Sequence, residues 1–303
     1  MAWRPAPATA LIALLLAIPL LLAGCNPAPP FVQLSGLVLD ARLQEISGVA
    51  ASRRHEDTLW MINDGGSDPE LHAVTRRGNR IASLRLAGVD NTDWEDLAAF
   101  ELDGRSYLLV ADTGDNGGLR KTLQLHVIAE PAQLADASVE PAWSIVFRWP
   151  DGPRDCEAVA VDAVGGRILL VSKKRQPPEL FSVPLRPGGN EPQVARLLGS
   201  LAGVPQGDPE EVRANADLAR IRSQVTAIDI APDGHAMAVL TYRDVLIYPR
   251  HGREAWARAL SRRPQVHPLP WLPQAEALAW ATGSRSLYAT GEISPSPLLY
   301  LNP

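Results

Sequence analysis

The stretch Asn91–Asn116, NTDWEDLAAFELDGRSYLLVADTGDN, reads as an acidic lead-in, a short strand, a tight turn, a second strand and a second acidic cluster. Asp103-Gly104 supplies the turn, because these two residue types tolerate the left-handed backbone a tight hairpin requires. The plan recurs along the chain. Five openings align: Glu45-Ile-Ser-Gly-Val-Ala, Asp93-Trp-Glu-Asp-Leu-Ala, Asp155-Cys-Glu-Ala-Val-Ala, Gln224-Val-Thr-Ala-Ile-Asp and Gln274-Ala-Glu-Ala-Leu-Ala. They recur at intervals of roughly 50 to 70 residues, the range of a repeat built from one small sheet with loop insertions.

Each later opening leads into a turn signal, at Asp103-Gly104, Gly165-Gly166, Pro232-Asp233-Gly234 and Gly283-Ser284; the first has only Arg54-His55-Glu56-Asp57. A strand-like run follows each turn: Leu59–Ile62, Tyr107–Val110, Ile168–Val171, Met237–Leu240 and Leu287–Thr290. Third runs start at Leu71, Leu180, Val245 and Leu298, and fourth runs are read at Ile81–Leu86, Trp143–Trp149, Val194–Leu198 and Val266–Trp271. Short strands at even spacing, without helical periodicity, predict an all-β fold, and apolar second strands suit sheets covered on both faces. The expectation is a β-propeller of five four-stranded blades. The last unit lacks a fourth strand, whereas Val32–Leu39 is a strand ahead of the first unit with no sheet of its own. Lending that N-terminal strand to the last blade closes the ring and removes both orphan edges. Six blades is the alternative if Leu201–Arg222 hides a degenerate one; Pro205, Pro209 and the helix-prone Pro209–Leu218 favour an insertion near 203–222.

The N-terminus is of a different kind. Arg4 precedes an apolar run from Ala10 to Ala23, too short for a membrane span and suited to a signal peptide. Leu22-Ala23-Gly24-Cys25 resembles the lipobox of bacterial lipoproteins, which implies cleavage after residue 24, a lipidated Cys25 and, with Asn26 next, an outer-membrane address. Residues 25–30 then form a Pro-rich tether to a single domain over 31–303. The formal net charge of −5 gives no reason to expect a nucleic-acid partner. With Cys25 lipidated, Cys156 has no partner for a disulfide, and its alternation with Ala158 and Ala160 predicts a buried thiol.

In a propeller, the start of each innermost strand and the end of the second lie on one face and converge on the channel mouth. Strand starts supply Glu45, Asp93, Glu95, Asp96, Asp155, Glu157 and Glu276; second-strand ends supply Asn63, Asp64, Asp112, Asp115, Asn116, Lys173–Arg175, Tyr242–Asp244 and Glu292. Many carboxylates at one opening repel unless a cation sits among them, and an oxygen-rich set without convergent His or Cys favours calcium. Asp112-Thr-Gly-Asp115-Asn116 is the first candidate for such an ion, with Gly114 permitting a tight bend; its spacing is not that of an EF-hand. Glu95, Glu157 and Glu276 have a second reading, as acceptors for backbone N–H groups of the neighbouring blade. Asp115, Arg120, Lys173 and Arg243 are the candidates for a catalytic role. No G-x-S-x-G, H-E-x-x-H, P-loop or G-x-G-x-x-G pattern occurs.

Ser47–Ser52, Leu59-Trp60 with Asn63–Gly66, Asp93–Ala98, and Asp112–Asn116 with Arg120 and Glu130-Pro131 resemble the pattern of a family of secreted bacterial β-propeller proteins. The resemblance spans roughly the first two repeats, and is similar at greater distance to phytase-like and SdiA-regulated propellers. It implies the fold and adds weight to Asp93, Glu95, Asp112, Asp115 and Asn116, but transfers no reaction. Two functions follow as expectations. One is an envelope lipoprotein binding a ligand or protein at an acidic, calcium-loaded mouth. The other is a calcium-dependent hydrolase of phosphate esters, lactones or related esters, with Arg120, Lys173 or Arg243 neutralising developing charge.

Overall fold

The computed structural model describes residues 31–303 except Asn190, Trp271 and Ser284. The expected signal peptide, lipid-bearing Cys25 and tether lie outside the described residues. Five antiparallel sheets follow one another along the chain. Blade one holds Ile46–Ala51, Thr58–Asn63, Glu70–Thr75 and Arg80–Leu86; blade two holds Trp94–Leu102, Arg105–Asp112, Leu123–Ala129 and Trp143–Arg148. Blade three holds Ala158–Asp162, Arg167–Val171, Glu179–Pro184 and Arg196–Ser200, and blade four Val225–Ile230, Ala236–Thr241, Asp244–Pro249 and Gln265–Pro268. Blade five takes Ala275–Trp280, Leu287–Gly291 and Ser296–Leu301 from the C-terminal end of the chain, and Val32–Val38 from the N-terminal end.

Each innermost strand packs on the next, and the fifth packs on the first, so the sheets close into a ring. Packing explains why these strands read as continuous apolar runs. Ile46–Ala51 and Ala275–Trp280 are buried at every position, because a blade covers each face. The apolar core is correspondingly divided into five clusters, one in each gap between adjacent blades. Trp60 and Trp94 fill the gap between blades one and two, and Cys156 is a free, buried thiol between blades two and three.

The ring closes as the orphan strands predicted. Val32–Val38 runs antiparallel to Ser296–Leu301, from Val32 opposite Leu301 to Val38 opposite Ser296. It also crosses the blade-one turn at Arg77-Gly78 so closely that a Cβ on Gly36 would strike the backbone of Arg77, and one on Gly78 the backbone of Leu37. Ser35 adds a hydrogen bond to the Arg76 carbonyl, at 2.6 Å.

Two details differ from the sequence reading. The run read as one strand over Val194–Leu198 is divided. Gln193–Val194 adds in parallel to the outer strand of blade two, and Arg196–Ser200 is the fourth strand of blade three. Ala137–Val139 covers the edge of blade one in the same way, too short to read as a strand. The segment before blade four forms two short helices, Pro209–Ala214 and Ala216–Arg222, rather than a sixth blade. Asp208 and Glu211 form a reciprocal capping box on the first helix, and Asn215 caps the second.

Candidate functional site

The mouth is built by a repeated irregularity. In blades one, two, four and five the ladder between first and second strands slips by one residue, leaving Ser47, Glu95, Thr226 and Glu276 as the extra residue of a bulge. Glu157 occupies the aligned position just ahead of the inner strand of blade three. A bulged residue leaves the ladder and its side chain is re-aimed. The Ser47 and Thr226 hydroxyls donate to the carbonyls of Trp94 and Ala275 in neighbouring blades, at 2.9 and 2.7 Å, and stitch the ring. Glu95, Glu157 and Glu276 remain as a buried tier of three carboxyl groups.

A second tier comes from the first or second residue after the second strand of blades one, two, three and five. Asp64, Gly114, Lys173 and Glu292 donate equivalent backbone hydrogen bonds to the carbonyls of Glu45, Asp93, Asp155 and Gln274, at 2.8, 3.1, 3.2 and 2.9 Å. Blade two has no side chain at this position, and its absence is what makes room. A Cβ on Gly114 would overlap the carboxylates of Glu95 and Asp93, and a Cβ on Gly65 would lie 2.6 Å from Asp93 Oδ1. Gly114 has no left-handed backbone, so its purpose is space and not the bend expected from the sequence. Asn91 ties the cradle together: its amide donates to the Asp64 carbonyl at 2.8 Å and its Oδ1 accepts the Trp94 N–H at 3.0 Å.

Two groups of carboxylates result, Asp64–Asp93–Glu95 and Glu95–Asp155–Glu157, with oxygens lying within 4.8 Å of one another in each. Either group has the oxygen donors and spacing to hold a metal ion. Glu95 belongs to both. The two halves differ in their neutralisation. Lys173 pairs with Glu157 under the Tyr242 ring, Lys174 pairs with Asp155 at 2.9 Å, and the Tyr242 hydroxyl donates to Glu276. Asp64, Asp93 and Glu95 have no such ion pair among the described residues.

Burial, reinforced by Asp64, raises the Asp93 carboxyl to about 6. Burial and then the charges of Glu157, Asp64 and Asp93 push Glu95 well above the ordinary carboxylate range. Glu276 rises to about 7, burial outweighing the opposing pull of Lys173 and the Tyr242 hydroxyl. Burial disfavours the Lys173 ammonium, but Glu157 and Glu276 overcome it and hold the charge in place. The second oxygen of Glu157 is buried without a hydrogen-bond partner. On the side of blades one and two, burial and mutual repulsion thus make the ionised forms of Asp93 and Glu95 costly.

The other sequence candidates separate. Glu45 is exposed at the rim beside Ile293, and half-buried Glu292 accepts from Gln274. Asn63 props the rim by donating to the Arg42 carbonyl. The loop expected to hold calcium has most of its oxygens engaged, although Asp112 Oδ2 is buried with no hydrogen-bond partner among the described residues. Buried Asp112 pairs with Arg120 at 2.7 Å, Asp115 accepts the N–H groups of Leu119 and Arg120 at 2.7 and 3.0 Å, and Asn116 Oδ1 accepts from Lys174 at 2.7 Å. The two groups of converging carboxylates lie one step inward, and Arg120 braces the loop. Arg243 faces the insertion helices, pairing with Glu211 at 2.7 Å and Asp244 at 3.7 Å.

Asp96 is not at the mouth but fully buried between blades, accepting the Val159 N–H at 2.7 Å; Asp229 takes Trp280 N–H in the same way at 2.8 Å. The inter-blade clamp expected of the three glutamates is thus performed by these aspartates. Of the histidines, His72 and His126 bond Ser83 and Ser144 within their own blades, at 2.8 and 2.9 Å.

No protein-family model and no curated protein matches the sequence. Among solved structures, the chain is similar to a chain of a nidogen/laminin complex, at 13% identity and a TM-score of 0.46, covering 82% of this chain and 73% of that one. A Xanthomonas campestris gluconolactonase, XC5397, aligns at 16% identity and a TM-score of 0.42, over 85% and 72% of the two chains. The β-propeller domain of Myceliophteria thermophila Cps50 (Swd1) aligns at 12% identity and 0.40, over 85% and 84%. Similarity at this level carries no function, and the five-bladed architecture rests on this chain's own strand pairing.

Proposed function

We propose that this chain is an envelope lipoprotein whose propeller binds a ligand or protein partner at a mouth completed by a hard divalent cation, calcium first. The observation that carries the reading is the Asp64–Asp93–Glu95 group, unpaired with any Lys or Arg among the described residues and seated in a recess that Gly65 and Gly114 keep open. Oxygen-only donors in a half-buried site suit calcium better than a softer metal. A bound ion would hold these carboxylates ionised and offer an electrophilic contact to an anionic group of the ligand. The lipobox-like Leu22–Cys25 supports the envelope address.

Thermal melting of the protein with calcium, magnesium or manganese tests it. An ion that binds only the folded state stabilises by about 2.7 kcal/mol at a hundredfold excess over its dissociation constant. Glu95→Gln is expected to abolish the rise, since both groups share Glu95. Absence of a shift with all three ions would overturn the ion site.

One observation favours a second, hydrolytic reading. The Glu276 carboxyl, raised to about 7 and hydrogen-bonded by Tyr242, has the poise of a general base at neutral pH. A panel of lactones, carboxylic esters and phosphate esters, run on the parent and on Glu276→Gln, separates the two. Turnover lost in the variant supports hydrolysis; no turnover in the parent leaves binding as the function.

A further inference from the structure

Of the four residues that share the second-tier backbone bond, Asp64 and Glu292 are acids, Gly114 has no side chain, and Lys173 alone is a cation. Lys173 is 8% exposed, and lysine is almost never buried so far without a partner. Its ammonium pairs with Glu157 and lies 5.2 Å from the centre of the Tyr242 ring, whose hydroxyl donates to Glu276. Its charge also acts on Asp64, Glu95 and Glu292, so that acids of blades one, two, three and five face a single ammonium.

Blades two and three thus treat equivalent positions in opposite ways. Gly114 leaves a recess beside Asp93 and Glu95, whereas Lys173 brings a tethered cation to Glu157. Glu95 belongs to both carboxylate groups, is 6% exposed, and accepts no hydrogen bond among the described residues. One oxygen of Glu157 is likewise buried without a hydrogen-bond partner. Deeply buried acids with oxygens left over suit cation ligands better than a completed hydrogen-bond network.

We infer that Lys173 stands in for a second metal ion: its ammonium serves the Glu95–Asp155–Glu157 side, and the mouth takes one divalent cation, on Asp64, Asp93 and Glu95. The inference rests on the ion reading above and adds the number of ions and the residue that sets it. An ammonium repels a nearby divalent ion half as strongly as a second divalent ion at the same distance would. Lys174, on Asp155 at 2.9 Å, completes the neutralisation of that side. Held against an aromatic ring, the Lys173 ammonium offers no open coordination position. An anionic group of a ligand is therefore held by one ion and is not bridged between two.

The test counts ions. Calcium bound per chain is measured by equilibrium dialysis on the full-length protein and on Lys173→Met. One ion in the parent and two in the variant is the expected result, and adding Glu157→Gln to Lys173→Met should return the count to one. A lysine with a merely structural role would not raise the count on removal. Two ions in the parent, or one in both proteins, overturns the inference and leaves the ion site standing. No ion in either protein removes the ion site and the inference with it. One ion in Lys173→Met alone removes the site proposed above but keeps the lysine as the replacement for an ion. Should Lys173→Met fail to fold without calcium, its melting in calcium decides. A cooperative transition restored by the ion supports the inference, and a chain still unfolded at saturating calcium overturns it.

Discussion

Replacing Gly114 by alanine adds one methyl group at the point where blades one and two face each other across the mouth. Two effects oppose. The backbone there is not left-handed, so alanine fits without strain and should stabilise by about 0.4–1 kcal/mol through the unfolded chain. The new Cβ, however, overlaps Glu95 Oε1 and the Asp93 carboxylate, and overfilling of this kind costs about 1–3 kcal/mol. Both obstructing groups are side-chain ends, so they swing aside and the fold survives. The net cost should be roughly 1–2 kcal/mol, or a fall of about 2–8 °C in Tm for a domain of this size. More telling is the ion. Displaced, the two carboxylates no longer converge with Asp64, and calcium should cease to raise the melting temperature. Gly118→Ala is the control, left-handed at φ 63° with open space around it. It should lose a comparable amount to backbone strain yet keep its calcium response. A Gly114→Ala protein that melts at or above the parent with its calcium shift intact would refute the cradle.

Three further outcomes follow from the packing. Arg120→Leu should cost about 3 kcal/mol in urea unfolding, because it leaves Asp112, 1% exposed, without its counterion. Adding Asp112→Asn should recover much of that, and a single variant within about 0.5 kcal/mol of the parent would show that the pair does not hold the loop. Burial raises the Asp229 carboxyl to about 6 from 3.8, so the folded state holds a proton the unfolded state has released. Stability from this group is present below about pH 4 and lost as pH rises to about 6, on the order of 3 kcal/mol, and Asp229→Asn should flatten that slope. An unchanged slope would remove Asp229 as its source. Gly36→Ala, whose Cβ would meet immovable backbone at Arg77, should weaken ring closure by about 3 kcal/mol; a neutral result would mean the N-terminal strand is not locked there.

The ring was legible because its signals are local and repeated. Short apolar runs at even spacing and Gly turns set the strands, and an orphan strand at one end of the chain matched a missing one at the other. Less legible were features fixed only by neighbouring blades. Gln193–Val194 and Ala137–Val139 join sheets through two or three residues, too few for a period to register. At the mouth, strand-start alignment grouped Glu95, Glu157 and Glu276; a bulge repeats at Glu95 and Glu276, and Glu157 sits just ahead of its strand. The densest acidic motif, Asp112–Asn116, has most of its oxygens on Arg120, Lys174 and its own backbone, partners that spacing alone does not reveal. Gly114 read as a bend residue and Gly65 carried no reading of its own, although both leave Asp93 and Glu95 room.

The most direct measurement is the anomalous diffraction of crystals grown with manganese as a stand-in for calcium. A peak bonded to carboxylate oxygens of Asp64, Asp93 and Glu95, at roughly 2.1–2.6 Å, is the expected result. A peak at Asp112, Asp115 and Asn116 instead, or none at the mouth while Lys173 and Lys174 keep their partners, would contradict it.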